Sequence, residues 1–207
     1  MQTIKKVLCL ILAVLSAALY MIGCAKANES ALTSSQPISV FSQEESKKEW
    51  YDGGTYLVGE DVPAGLYYVE STDYECYMQI SEDGEITSDS ILTGEFFRTH
   101  SYVEVSDGKF LTVNGGRFIL EEYVAPARPI DGILDEGTYY IGKDLPAGEY
   151  EIISYDSLCR YEVSNSAAGL LSDIVESGNN IQVYESVYVT VAEGQFLKVY
   201  GGQIILS

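Results

Sequence analysis

Positive charge is scarce in this chain: 12 Lys and Arg stand against 31 Asp and Glu, giving a formal net charge of −19 at pH 7. A surface of that sign repels phosphate backbones and anionic headgroups, which argues against a nucleic-acid partner. Histidine is nearly missing. His100 stands alone in Phe96-Phe97-Arg98-Thr99-His100, beside no nucleophile or metal-ligand signature, so it reads as an exposed strand or loop residue rather than a catalytic base. No glycine-rich loop opens a helix and no His or Cys spacing suits zinc, so no cofactor, no metal and no catalytic residue is expected, and the chain reads as a non-enzyme. A membrane-spanning run is lacking too: the longest apolar stretch, Val7 to Ile22, falls short of the about 20 residues a helix needs to cross a bilayer.

That stretch carries a different message. Lys5 and Lys6 precede it and Gly23-Cys24 follow it, the order of charged region, apolar region and small-residue cleavage site in a signal peptide. Met21-Ile22-Gly23-Cys24 resembles the lipobox of bacterial lipoproteins. The resemblance implies that residues 1–23 are removed, that Cys24 becomes the lipid-modified first residue, and that the chain sits lipid-anchored on the extracytoplasmic face of the cell membrane. Loss of Lys5 and Lys6 with that segment would take the charge from −19 to −21. Residues 24–49 follow as a Ser-rich stretch too poor in apolar side chains to pack, expected as a disordered tether with a root-mean-square reach of roughly 25–30 Å.

Beyond the tether the chain repeats itself. Gly54-Thr55-Tyr56, Gly59-Glu60-Asp61 and Pro63-Ala64-Gly65-Leu66-Tyr67 return as Gly137-Thr138-Tyr139, Gly142-Lys143-Asp144 and Pro146-Ala147-Gly148-Glu149-Tyr150, so one module occurs twice. Residues 50–124 are assigned to repeat 1, 125–131 to a proline-stiffened linker and 132–207 to repeat 2. Alternation at Tyr56 and Val58, Tyr67 and Val69, and their counterparts places strands on either side of a Pro-Ala-Gly corner. Asp61 and Asp144 precede that corner and are expected to bond local amides rather than a metal. Asp107-Gly108, Gly115-Gly116, Glu193-Gly194 and Gly201-Gly202 punctuate later strands as antiparallel hairpins would. The fold class is therefore all-β: two tandem small antiparallel, jelly-roll-like β-sandwiches, which at this size have reason to share an interface. The repeat offset grows by three residues between the early and late motifs, placing an insertion within 164–180 of repeat 2.

Cys76 and Cys159 occupy equivalent positions in the two repeats. Their alternation with Met78 and Ile80, and with Tyr161 and Val163, reads as a buried thiol in each core; a disulfide between the repeats is the alternative in an oxidising exterior. The Gly-Thr-Tyr, Gly-x-Asp and Pro-Ala-Gly-x-Tyr pattern followed by a cysteine resembles an uncharacterised β-module of secreted proteins and lipoproteins of Gram-positive bacteria. Related modules carry a second cysteine near the last turn, where this chain has Gly115-Gly116 and Gly201-Gly202.

Tyrosine is abundant, at 17 residues against the single Trp50. Tyr77, Tyr102, Tyr184 and Tyr188 are the candidate ligand contacts, since outward tyrosines stack on sugars or proteins at low entropic cost. The expected function is a non-catalytic, membrane-anchored surface protein displaying its β-domains to an unknown protein or cell-wall partner; a carbohydrate-binding role through exposed tyrosines is the alternative. Binding is expected where the copies differ, in 82–100 and 164–186.

Overall fold

The computed structural model describes residues 49–84 and 87–206, which belong to one compact unit. The signal segment, Cys24 and all but the last residue of the expected tether lie outside the described residues.

Each repeat is an antiparallel sandwich. Repeat 1 contributes β1 (Gly54–Leu57), β2 (Gly65–Ser71), β3 (Cys76–Ser81), β4 (Ile91–Phe97), β5 (His100–Val105), β6 (Phe110–Asn114) and β7 (Gly116–Leu120). Its two sheets run β1-β6-β3-β4 and β5-β2-β7. Repeat 2 contributes β8 (Ile133–Leu134), β9 (Gly137–Tyr140), β10 (Gly148–Ser154), β11 (Cys159–Ser164), β12 (Ile174–Ile181), β13 (Ser186–Val191), β14 (Phe196–Tyr200) and β15 (Gly202–Ile205). Its sheets run β12-β11-β14-β9 and β13-β10-β15-β8. The β8 strand has a one-residue counterpart in repeat 1, where Tyr51 bridges Phe118. Within a repeat the chain changes sheet at every connection except β3 to β4 and β11 to β12, the wiring of a jelly roll.

That wiring corrects the hairpin reading of the glycine turns. β5, β6 and β7 alternate between the sheets of repeat 1, so Asp107-Gly108 and Gly115-Gly116 lead the chain across the sandwich instead of folding neighbours together. Gly108 and Gly115 both take φ near 78°, and this left-handed residue redirects the strand without a side-chain penalty.

The repeated tyrosines have a local role. Tyr56 donates its hydroxyl to the Asp52 carbonyl at 2.9 Å and Tyr67 to the Pro63 carbonyl at 2.6 Å. Tyr139 and Tyr150 do the same to Asp135 at 2.5 Å and Pro146 at 2.7 Å. Each reaches back four residues and ties a corner to the strand that leaves it, so the motif needs a ring for the core and a hydroxyl for a turn carbonyl. Asp61 accepts the Leu57 amide at 2.8 Å and Asp144 the Tyr140 amide at 2.9 Å, the local turn bonds expected of them.

Two separate cores result, one around Tyr67, Leu111 and Phe118, the other around Tyr139, Ile152 and Ile204. Cys76 and Cys159 are free, buried thiols. Burial raises both, Cys76 to about 11, so neither is a reactive thiolate at neutral pH. One of the three inserted residues falls at the end of the expected segment and two fall beyond it. Cys159 pairs with Ile181 and Arg160 with Asn179, leaving Asn180 as a bulge absent from the pairing of Cys76 with Phe97 and Tyr77 with Phe96. The remaining two residues lengthen the turn 182–185, because only Arg98 and Thr99 join β4 to β5.

A Cβ built on Gly116 would lie 2.6 Å from Cys76 Sγ, and one on Gly202 would lie 3.0 Å from Cys159 Sγ. These glycines hold the places a disulfide partner would take. Gly202→Cys is therefore expected to oxidise with Cys159 and stabilise the fold by about 2–4 kcal/mol. Thiol titration and denaturant unfolding of the oxidised and reduced variant check this; a thiol that stays free contradicts the assigned geometry.

Candidate functional site at the junction of the repeats

The edge of repeat 1 lies across the outer face of the β12-β11-β14-β9 sheet of repeat 2. Alternation decides which side chains meet. On repeat 2, Tyr139, Tyr161, Val163, Leu197 and Val199 point into the core, so Thr138, Tyr140, Arg160, Glu162, Phe196, Lys198 and Tyr200 point outward. On repeat 1 the edge supplies Glu95 from β4, the turn residues Arg98 and Thr99, and His100, Ser101 and Tyr102 from β5.

Polar contacts dominate this seam. Arg98 donates to the Tyr200 hydroxyl at 2.6 Å and lies 3.6 Å from Glu136 and 3.4 Å from Asp156. Thr99 donates to the Glu136 carbonyl and Lys198 pairs with Glu95. Ser101 and Thr138 share a hydroxyl bond at 3.0 Å. Tyr102 is 3 % exposed; its ring packs against Phe196 and Tyr140, which stack at 4.7 Å, and its hydroxyl donates to Asp144 at 2.8 Å. Burial, then Asp144, raises the Tyr102 phenol, so it stays a neutral donor. The linker is held as well: Ala127 N–H donates to Asp144 at 2.9 Å and Lys143 meets Glu121 at 2.5 Å.

His100 departs from the expected exposed residue. Its ring stacks on Tyr68 at 5.4 Å and meets the edge of Tyr139 at 5.0 Å. A Cβ at Gly137 would collide with it, so glycine there lets β9 approach. Burial lowers the His100 pKa, outweighing Asp144, a backbone hydrogen bond with Thr138 and Glu70, all of which raise it.

Above the seam runs a groove of about 340 Å³, walled by β4 and the Arg98-Thr99 turn on one side and by β11, β14 and residues 164–174 on the other. The loop after β11 reaches over to repeat 1, where Glu104 N–H donates to the Ala167 carbonyl at 3.0 Å and Gly169 packs on Thr93. Both segments in which the copies differ thus converge on one groove. Comparison with protein-family models, with curated proteins and with solved structures finds no match to this chain. Its chemistry must therefore be read from the groove itself.

The four candidate tyrosines do not form one strip. Tyr102 is enclosed in the seam. Tyr77 is half-buried on the outer face of repeat 1, packed against Phe96 at 4.6 Å. Tyr188 lies on β13, in the other sheet of repeat 2, and Tyr184 in the turn before it, 61 % and 86 % exposed. Phe96, Arg160, Lys198 and Gln79 are the groove residues that motif reading passed over; their only signal in the sequence is that repeat 2 or repeat 1 has something else at the same place.

Two outcomes follow. Arg98→Ala leaves Glu136, with a 7 % exposed side chain, without its cation, and is expected to cost about 2–3 kcal/mol in denaturant unfolding, less than a fully buried pair because Arg98 keeps some solvent. His100 is held neutral in the fold, so its contribution is complete above its unfolded pKa of 6.5 and is lost as pH falls from there toward the depressed folded value. The difference in melting temperature between wild type and His100→Gln is expected to shrink below about pH 6.5; a difference independent of pH contradicts the neutral, enclosed imidazole.

Proposed function

We propose that the chain is a non-catalytic binding protein of the cell surface, anchored through lipid on Cys24, whose two sandwiches act as one body and offer their shared groove to a cell-wall or protein partner. The observation that carries this reading is the convergence of the two diverged segments, with residues 93–100 from one repeat and 164–174 from the other lining a single groove. The titratable groups beside it are engaged structurally. Glu136 accepts Gly201 N–H at 2.6 Å and pairs with Arg98, Glu95 accepts from Ser101 and pairs with Lys198, and His100 is packed between rings. Such groups position and recognise; they are not poised to exchange protons with a substrate.

Expressed in a lipoprotein-processing Gram-positive host, the wild type is expected to incorporate labelled palmitate and Cys24→Ala to lose it. The soluble Cys24→Ala chain, added to intact cells, is expected to bind saturably and to be displaced by excess unlabelled chain. Absence of saturable binding contradicts a surface-binding role, whatever the outcome of the labelling.

A further inference from the structure

We infer that the groove between the repeats is a binding site for an uncharged saccharide. This rests on the proposed binding role and adds the chemistry of the ligand.

The first observation is an unpaired polar group. Gln79, on β3, lines the groove and is 1 % exposed, yet its Nε2 has no hydrogen-bond partner among the described residues. Its Oε1 accepts the Tyr77 hydroxyl at 2.8 Å, which leaves the amide nitrogen as the end without a partner. Gly94 stands opposite Gln79 in the β3–β4 register and presents no side chain over it. Leaving such a group unsatisfied when buried is costly, and a ligand oxygen would recover it.

The second observation is a platform. Phe96 lines the same groove at 56 % exposure, held from behind by Tyr77, and offers a fixed aromatic face to the C–H side of a pyranose ring.

The third is charge balance. In a chain of net charge −19, Arg98, Arg160 and Lys198 gather at this groove, but with partners already in place. Lys198 sits between Glu95 and Glu162, Arg98 between Glu136 and Asp156, and Arg160 lies 4.1 Å over the Tyr200 ring. The result is an array of donors beside acceptors with little net sign, suited to vicinal hydroxyls. An anion would face the acidic protein as a whole and a cation the local Arg and Lys. The volume of about 340 Å³ lies in the range of small-ligand sites.

The test is calorimetric titration and saturation-transfer NMR of the full chain with short linear oligosaccharides of glucose, galactose, mannose and N-acetylglucosamine, and with a uronic-acid oligomer as the charged control. At least one neutral sugar is expected to bind, more tightly than the uronate. Phe96→Ala and Gln79→Met are each expected to weaken it by at least about tenfold, while Gln79→Met melts close to wild type, because the unpaired amide nitrogen is lost together with the bond from the half-buried Tyr77 hydroxyl. No neutral sugar bound, uronate bound more tightly, or binding indifferent to both substitutions overturns the inference. Saturable binding of the Cys24→Ala chain to cells beside a blank sugar panel would remove the saccharide and leave the surface-binding role standing.

Discussion

Glu136 is a carboxylate that water barely reaches, and the junction is built around satisfying it. Its backbone carbonyl accepts Thr99, one side-chain oxygen accepts the Gly201 amide, and the other faces Arg98. Desolvating a charge is costly unless charge and hydrogen bonds answer it in place. The answering cation comes from the other repeat, so undocking would return Arg98 to water and leave Glu136 enclosed without its cation. Arg98 in turn stacks on Tyr200 at 4.4 Å and reaches Asp156. One guanidinium therefore fixes the turn after β4, and with it the wall of the groove.

The duplication explains how such an interface arises and why it joins one pair of surfaces. The positions in repeat 1 that match Glu136 and Tyr200 are Gly53 and Asn114, which supply neither the carboxylate nor the ring. In repeat 2 the residue matching buried Tyr102 is Tyr188, 61 % exposed, and the longer turn 182–185 replaces Arg98-Thr99. Shared residues such as Tyr67, Tyr150, Asp61 and Asp144 close corners in both copies. Diverged residues such as Arg98, Glu136 and Tyr200 supply the charged centre of the seam, beside Tyr102, Thr138 and Phe196, which the other copy matches with Tyr188, Thr55 and Phe110. Asp144 serves both purposes, since it caps its own corner and also accepts Tyr102 and the linker amide.

Strand positions, the two sandwiches and the corner roles of Asp61 and Asp144 were legible because period-two alternation and Pro-Ala-Gly turns act locally. The cysteines were legible in part: alternation placed them in the cores, and only distance could separate two free thiols from a bridge. The glycine turns were misread as hairpins because a left-handed glycine serves a hairpin and a sheet-to-sheet crossing equally well; the choice depends on which strands later fill the space. His100 was misread because part of its cover comes from Tyr139 and Gly137, in the other repeat, and no local pattern announces that contact. The groove was legible only as two divergent segments. That they meet follows from docking, which the linker permits and Arg98, Glu136, Tyr102 and Asp144 enforce.

The repeats form one body around this junction. Residual dipolar couplings measured for backbone amides of both repeats in a weakly aligned sample test it most directly. A single alignment tensor fitting residues 50–124 and 132–206 together is the predicted result. Two tensors of different magnitude or orientation would show independently moving domains and a junction that does not hold them.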